Sequence, residues 1–357
     1  MPVFDRIEAD DYEQVVFCHH RPSGLRAIVA IHSTALGPAL GGTRFYPYAT
    51  EDDAFEDVLR LAKGMTYKAA LAGLDLGGGK AVVLGDPARD KSEALLRAFA
   101  RFVDSLGGRY ITAEDVGTTQ ADMDLIRRET RWVTGVSQSL GGSGDPSVAT
   151  ALGLYWAMKA TAITLWGSSS LEGRHVAVQG VGKVGHGVVR HLVEERCRVT
   201  VADISPAAVE RAVSDFGVEV APLEKIHAID CDIYSPCALG GALNERTIPE
   251  LRCAAVCGCA NNQLAGPGCD EALVRAGVLY APDYVVNAGG IINIAEELRG
   301  YSRERAETGL RHIYDTTMAV FERAAAEGIT TAAAANRLAE ARIEDVGRLN
   351  LIRPPAR

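Results

Sequence analysis

The chain has 357 residues, enough for two domains with cores of their own. Charged residues make up 23% and apolar residues 47%, an ordinary globular balance. A net charge of −9 argues against a general binder of nucleic acid or anionic membrane. The opening MPVFDRIEADDYEQ is acidic and has no apolar h-region, so no signal peptide is expected. No apolar run reads as long enough to span a bilayer, and the expected location is the cytoplasm.

In chain order, LRAIVAI (25–31) reads as a buried strand, followed by a glycine-rich turn around Gly41 and Gly42. Thr50 is placed to cap a helix that opens on Glu51, Asp52 and Asp53 and runs to about Leu71. A glycine loop at 77–79 leads into the strand AVVLG. Residues 91–106 read as helix, RYITAED as a strand ending on Glu114 and Asp115, and 119–130 as helix. SLGGSGDPS (139–147) has the composition of a hinge, and a helix is expected over 148–166. From there the pattern is regular: RHVAVQG, RVTVADI, CDIYSP and CAAVCG each read as a strand followed by a helix, the signature of a doubly wound parallel sheet. From about Arg303 to Leu349 the chain is Ala-rich and helical. The expected fold is therefore α/β in two domains. Residues 1–140 form a substrate and oligomerisation domain, 141–327 a Rossmann domain, and 328–357 a helix returning to the first.

Six of the eight cysteines lie between Cys231 and Cys269, with no C-x-x-C pair. Cys253, Cys257 and Cys259 share a parity that would put them on one face of a strand. Buried, reduced thiols are preferred to a metal site, so no metal is expected.

The segment LDLGGGKAVV (74–83) presents Lys80 directly after three glycines. It is no phosphate loop: Leu74 stands where the first glycine of G-x-x-x-x-G-K-[ST] belongs, and Ala81 replaces the Ser or Thr. Only seven of the 37 basic residues are lysine, so a plain positive charge is usually supplied by arginine here. A desolvated lysine can lose its proton near neutral pH and an arginine cannot, which draws attention to Lys68 and Lys80.

Gly180-Val181-Gly182-Lys183-Val184-Gly185 fits G-x-G-x-x-G between a strand and a helix, with Asp203 ending the next strand. Gly180 suits the tight turn, Gly182 the close approach of pyrophosphate, and Gly185 helix–strand packing. Phosphates would sit on the helix N-terminus, with Lys183 and Val184 in its first turn. The Asp203 carboxylate suits ribose hydroxyls and repels a 2′-phosphate, and ISP (204–206) offers no arginine, so the expected cofactor is NAD.

The stretches GPALGGTR, KGMTYKAALAGLDLGGGKAVV, TAEDVGTT, GVGKVG, PCALGGALN, GCANNQL and YAPDYVVNAGGIIN together resemble the amino acid dehydrogenases that act on glutamate, leucine, valine and phenylalanine, with the leucine/valine branch nearest. The resemblance implies NAD-dependent, reversible oxidative deamination of a branched-chain L-amino acid to a 2-oxo acid and ammonia. It implies Lys80 as the catalytic lysine, Asp115 as its partner at the amino group, and Lys68 as the carboxylate anchor beside Gly42 and Met65. Thr150, Asn262 and Asn287 would meet the nicotinamide end, and Leu40, Ala113, Ile291 and Ile294 would line the side-chain pocket. A homo-oligomer is implied, without nucleic-acid or membrane partners. The alternatives are an aromatic amino acid dehydrogenase of the same fold and a non-catalytic NAD-binding regulator. The intact set of Lys68, Lys80 and Asp115 argues against the regulator.

Overall fold

The structure is a computed structural model that describes residues 3–351; the extreme ends of the expected first and third domains lie outside the described residues. The chain divides into two compact units. Unit 1 takes Met1–Gly144, Ile294–Arg303 and Ala339–Arg357, and unit 2 takes Asp145–Asn293 and Glu304–Leu338.

Unit 1 holds a mixed sheet of β1 (Gln14–His20), β2 (Leu25–Ser33), β3 (Ala39–Tyr46), β4 (Gly77–Leu84) and β5 (Tyr110–Glu114), in the order β1-β2-β4-β3-β5. β1 and β2, and β2 and β4, run antiparallel; β3 runs parallel to both β4 and β5. Around it lie α1 (Val3–Glu8), α2 (Glu51–Leu71), α3 (Glu93–Ser105) and α4 (Gln120–Arg127). α2 starts where its cap dictates: the Thr50 side chain accepts from the Asp53 amide while the Asp53 carboxylate accepts from the Thr50 amide. One core, with Val29, Phe45, Phe99 and Tyr110, fills the face under α3 and α4, and another, with Ile28, Phe55, Val58 and Val82, fills the face under α2.

Two expectations change here. Gly41 and Gly42 are strand residues of β3, and Gly77, Gly78 and Gly79 open strand β4. The glycines serve packing. A Cβ at Gly78 would fall less than 3.0 Å from the Thr66 backbone in α2, and one at Gly41 less than 3.0 Å from the Gly79 carbonyl. Side chains at these positions would push the helix off the sheet and the strands apart.

The stretch read as a hinge contains the division between the units, and its unit 1 side is tied down. The Glu297 carboxylate accepts from the Gly135 amide at 2.9 Å, and from the amide and hydroxyl of Ser143 at 2.8 and 2.6 Å.

Unit 2 is built on α5 (Pro146–Trp166), β6 (His175–Gln179), α6 (Lys183–Glu194), β7 (Arg198–Ala202), α7 (Pro206–Phe216), β8 (Glu219–Val220), β9 (Asp230–Pro236), β10 (Arg252–Cys257), α8 (Cys269–Arg275), β11 (Leu279–Ala281), α9 (Asp283–Val286) and α10 (Gly289–Ala295), with α10 crossing into unit 1. All six strands are parallel, in the order β11-β10-β9-β6-β7-β8, so the strand order reverses between β6 and β9. The expected helix between CDIYSP and CAAVCG is absent: only a short 3-10 turn, Ile248–Glu250, interrupts the loop, where Gly240, Gly241 and Pro249 disfavour a helix. α5 is, with its 21 residues, long and apolar enough to cross a bilayer, against the sequence reading. Ala149, Leu154, Ala157, Met158 and Ala160 are nonetheless buried within unit 2, the environment of a core helix. The thiols of Cys231, Cys253, Cys257 and Cys269 are free and buried, whereas Cys259 lies past the end of β10 and is partly exposed.

α11 (Arg303–Glu327) and α12 (Thr331–Gly347) follow, with a 3-10 turn at Arg348–Leu351. From Ala339 the chain belongs to unit 1. There Arg342 donates to the carbonyls of Ala70 and Leu74 at 3.1 and 2.7 Å, and Tyr67 donates to Glu340 at 2.9 Å.

Candidate active site

In unit 1, Lys80 sits in mid-strand on β4, beside Ala30 of β2, and is only 5% exposed. Its Nζ contacts Oδ2 of Asp115, the residue that follows β5. The Asp115 backbone is pinned in turn: its amide donates to the Thr118 hydroxyl at 2.9 Å, and that hydroxyl also lies 2.9 Å from the Thr43 carbonyl. Asp115 is not the cap of the following helix, a place taken by Thr119. Gly42 is needed where it stands, since a Cβ there would be 2.9 Å from the Asp115 Cβ.

Burial is the main reason the Lys80 ammonium is pushed down to about 7, and the positive charges of Arg44 and Lys68 push the same way. Lys68 lies in the last turn of α2 and Met65 one turn earlier, both half-buried. The close approach of α2 to Gly78 brings that helix end over β4. Leu40 is fully buried on β3 and Ala113 is 3% exposed on β5. Ile294 belongs to unit 1, whereas Ile291 is buried in unit 2.

In unit 2 three loops meet at the carboxyl edge of the sheet. Gly180 has φ +97°, and a Cβ on it would be 2.8 Å from the Ala238 Cβ. A Cβ on Gly185 would strike the Gly180 carbonyl, while one on Gly182 would meet nothing within 4 Å. This is a tight turn, a close helix–strand contact and an open cradle at the start of α6, which fits a dinucleotide pyrophosphate. Lys183, exposed, pairs with Asp145 at 3.0 Å, and Val184 is half-buried. Asp203 follows β7, and its carboxylate accepts from the amides of Val181 at 2.7 Å and Ser205 at 2.8 Å. An arginine absent from 204–206 arrives from α7 instead: Arg211 donates to the Val181 carbonyl at 3.3 Å.

The GCANN turn joins the PCALGG loop through the Gly241 amide and the Asn262 carbonyl, at 2.8 Å. Asn262 is exposed with φ +53°, a left-handed conformation that asparagine tolerates. Asn287 donates to Asn261 at 2.8 Å and to the Cys259 carbonyl at 3.2 Å. Its Oδ1 is buried without a hydrogen-bond partner, an acceptor that suits a ligand donor. Thr150 is half-buried near Gly289 and Gly290, its hydroxyl donating to the Pro146 carbonyl at 3.0 Å. Sequence reading passed over Arg44, Asp57, Asn261 and Arg211. None stands in a spacing motif of its own; the one available signal was the Asn261-Asn262 doublet.

The family description "Glu/Leu/Phe/Val dehydrogenase, dimerisation domain" matches residues 12–132, and "Glutamate/Leucine/Phenylalanine/Valine dehydrogenase" matches 141–212 and 207–349. The chain is 55% identical to leucine dehydrogenase of Geobacillus stearothermophilus, over 96% of this chain and 94% of that one. It is 57% identical to valine dehydrogenase of Streptomyces virginiae, over 94% of each. The structure of L-tryptophan dehydrogenase from Nostoc punctiforme superposes with a TM-score of 0.87 at 45% identity, covering 97% of this chain and 100% of that one. The chain belongs to the glutamate/leucine/phenylalanine/valine dehydrogenase family.

Proposed function

We propose that the protein is an NAD-dependent dehydrogenase that deaminates branched-chain L-amino acids reversibly to 2-oxo acids and ammonia. The observation that carries the chemistry is the buried Lys80, poised near neutrality against Asp115. The substrate class rests on identities of 53–57% to leucine and valine dehydrogenases over nearly the whole chain.

When bound, the nicotinamide supplies a hydride acceptor; the rest falls to the chain. Lys68 anchors the substrate carboxylate as a fixed cation. Lys80 takes at Nζ the proton of the water that attacks the imine carbon, and returns it to the departing nitrogen. Asp115 holds the amino group and steadies Lys80 in both protonation states. Gly182, bare at the start of α6, would leave room for the pyrophosphate, with Gly180 making the turn and Gly185 the helix–strand contact, and Asn287 would offer its spare oxygen to the carboxamide end. Asp203, already oriented by two amides, favours the free ribose of NAD. The match to a dimerisation domain supports assembly from copies of this chain.

The test is stoichiometric. Purified protein with NAD and valine should yield NADH, ammonia and 2-oxoisovalerate in equal amounts. NAD binding without any of the three products would leave a cofactor-binding protein and end the enzymatic reading.

A further inference from the structure

Asp115 is held by two cations. Oδ2 meets Lys80, while Oδ1 accepts from the Val116 amide at 2.5 Å and faces Nη2 of Arg44 at 3.6 Å. Arg44 stands on β3, two residues after the glycine pair, and its other arm donates from Nη1 to Asp57 of α2 at 2.8 Å. Its Nε is buried with no hydrogen-bond partner, so the fork rests on those two carboxylates. Asp57 is fixed from two more sides, by Tyr48 at 2.6 Å and Arg60 at 2.7 Å. The result is a line of alternating charge: Arg60, Asp57, Arg44, Asp115, Lys80. It contains three cations and two anions. Of the three, only lysine can shed its proton within the accessible range.

We propose that Arg44, anchored by Asp57, is a positioning residue that divides the Asp115 carboxylate between two cations and so sets the protonation of Lys80. The inference rests on the reading of Lys80 as the base. With Arg44 in place, Asp115 cannot give its whole charge to Lys80, and the neutral amine stays accessible. Without it, the cation that disfavours the ammonium is gone, and Asp115, already in contact with Nζ, holds Lys80 charged. Removing Asp57 has the opposite effect: Arg44 is released toward Asp115, and a negative charge near Lys80 is lost. Other charged groups also act on Lys80. Lys68 on α2 and Arg60 push its ammonium down together with Arg44, and Glu114 at the end of β5 is exposed. His32 on β2 lies 2.8 Å from the Thr66 hydroxyl, with burial pushing its imidazole below the usual value.

The experiment is a 13C-lysine NMR titration of the whole chain, with Lys80 assigned among the seven lysines by its loss in Lys80→Arg. Arg44→Gln should move the Lys80 titration up by about one unit, and Asp57→Asn should move it down. The acidic limb of kcat/KM should follow in the same directions. A residue with a merely structural part would lower activity in both variants without moving the titration oppositely. If neither titration moves, or both move together, the inference is overturned. If Arg44→Gln does not fold, the downward movement in Asp57→Asn decides. Titrations that move oppositely while the rate limb stays fixed would uphold Arg44's hold on Lys80 and refute Lys80 as the base.

Discussion

At the residue scale the account turns on two lysines with different tasks. Lys80 must change protonation, and burial brings it down to about 7. Because deamination needs the neutral amine, kcat/KM should rise as pH climbs through that value. Lys80→Arg keeps the charge but cannot deprotonate. It should lose at least ~100-fold in kcat with NAD affinity nearly unchanged, as read by stopped-flow and cofactor titration; near-normal turnover would remove Lys80 from the mechanism. Lys68 needs only to stay charged. Lys68→Ala should weaken amino-acid and oxo-acid binding by about 2–5 kcal/mol, seen mainly in KM. Unchanged kinetics would reduce it to a structural charge. The scarcity of lysine in the chain is what draws attention to these two places. The Arg44 fork was not, because Arg44 and Asp57 meet only once α2 is laid against the sheet.

At the element scale, the glycine triplet carries the main correction. A triplet before a lysine resembles a loop, since glycine disfavours regular structure when read alone. Its packing reverses that reading: β4 has to be bare where α2 presses on it at Gly78 and where the Tyr110 ring of β5 lies at Gly79. Gly78→Ala should therefore cost about 1–3 kcal/mol through overpacking and displace the end of α2 that carries Lys68. Urea unfolding measures the first effect and the KM for valine the second; a variant with wild-type stability and KM would contradict the packing argument. Signals that act within a few residues were legible: the Thr50–Asp53 capping box fixed the start of α2, and strand alternation with GVGKVG marked the parallel sheet. What depends on a partner distant in sequence was not, as with Asn261 meeting Asn287 and Arg211 reaching Val181.

On the scale of the whole molecule, cofactor and substrate preference are tested independently. In unit 2, Asp203 should give a strong preference for NAD, relaxed by Asp203→Ser with Ile204→Arg. Equal kcat/KM for NAD and NADP in the wild type would mean that Arg211 outweighs the carboxylate. The proposed pocket residues Leu40, Ala113, Ile291 and Ile294 are uncharged, so a glutamate side-chain carboxylate would be buried unpaired. The isoleucines leave less room than valines would, and one methylene decides about 1–3 kcal/mol of discrimination. Ile291→Val with Ile294→Val should accordingly shift preference toward leucine without altering NAD binding. The most direct measurement is kcat/KM for NAD reduction across valine, leucine, isoleucine, phenylalanine, tryptophan and glutamate. The account predicts valine at least equal to leucine, the aromatic substrates far behind and glutamate inert; phenylalanine or tryptophan outrunning valine would contradict it.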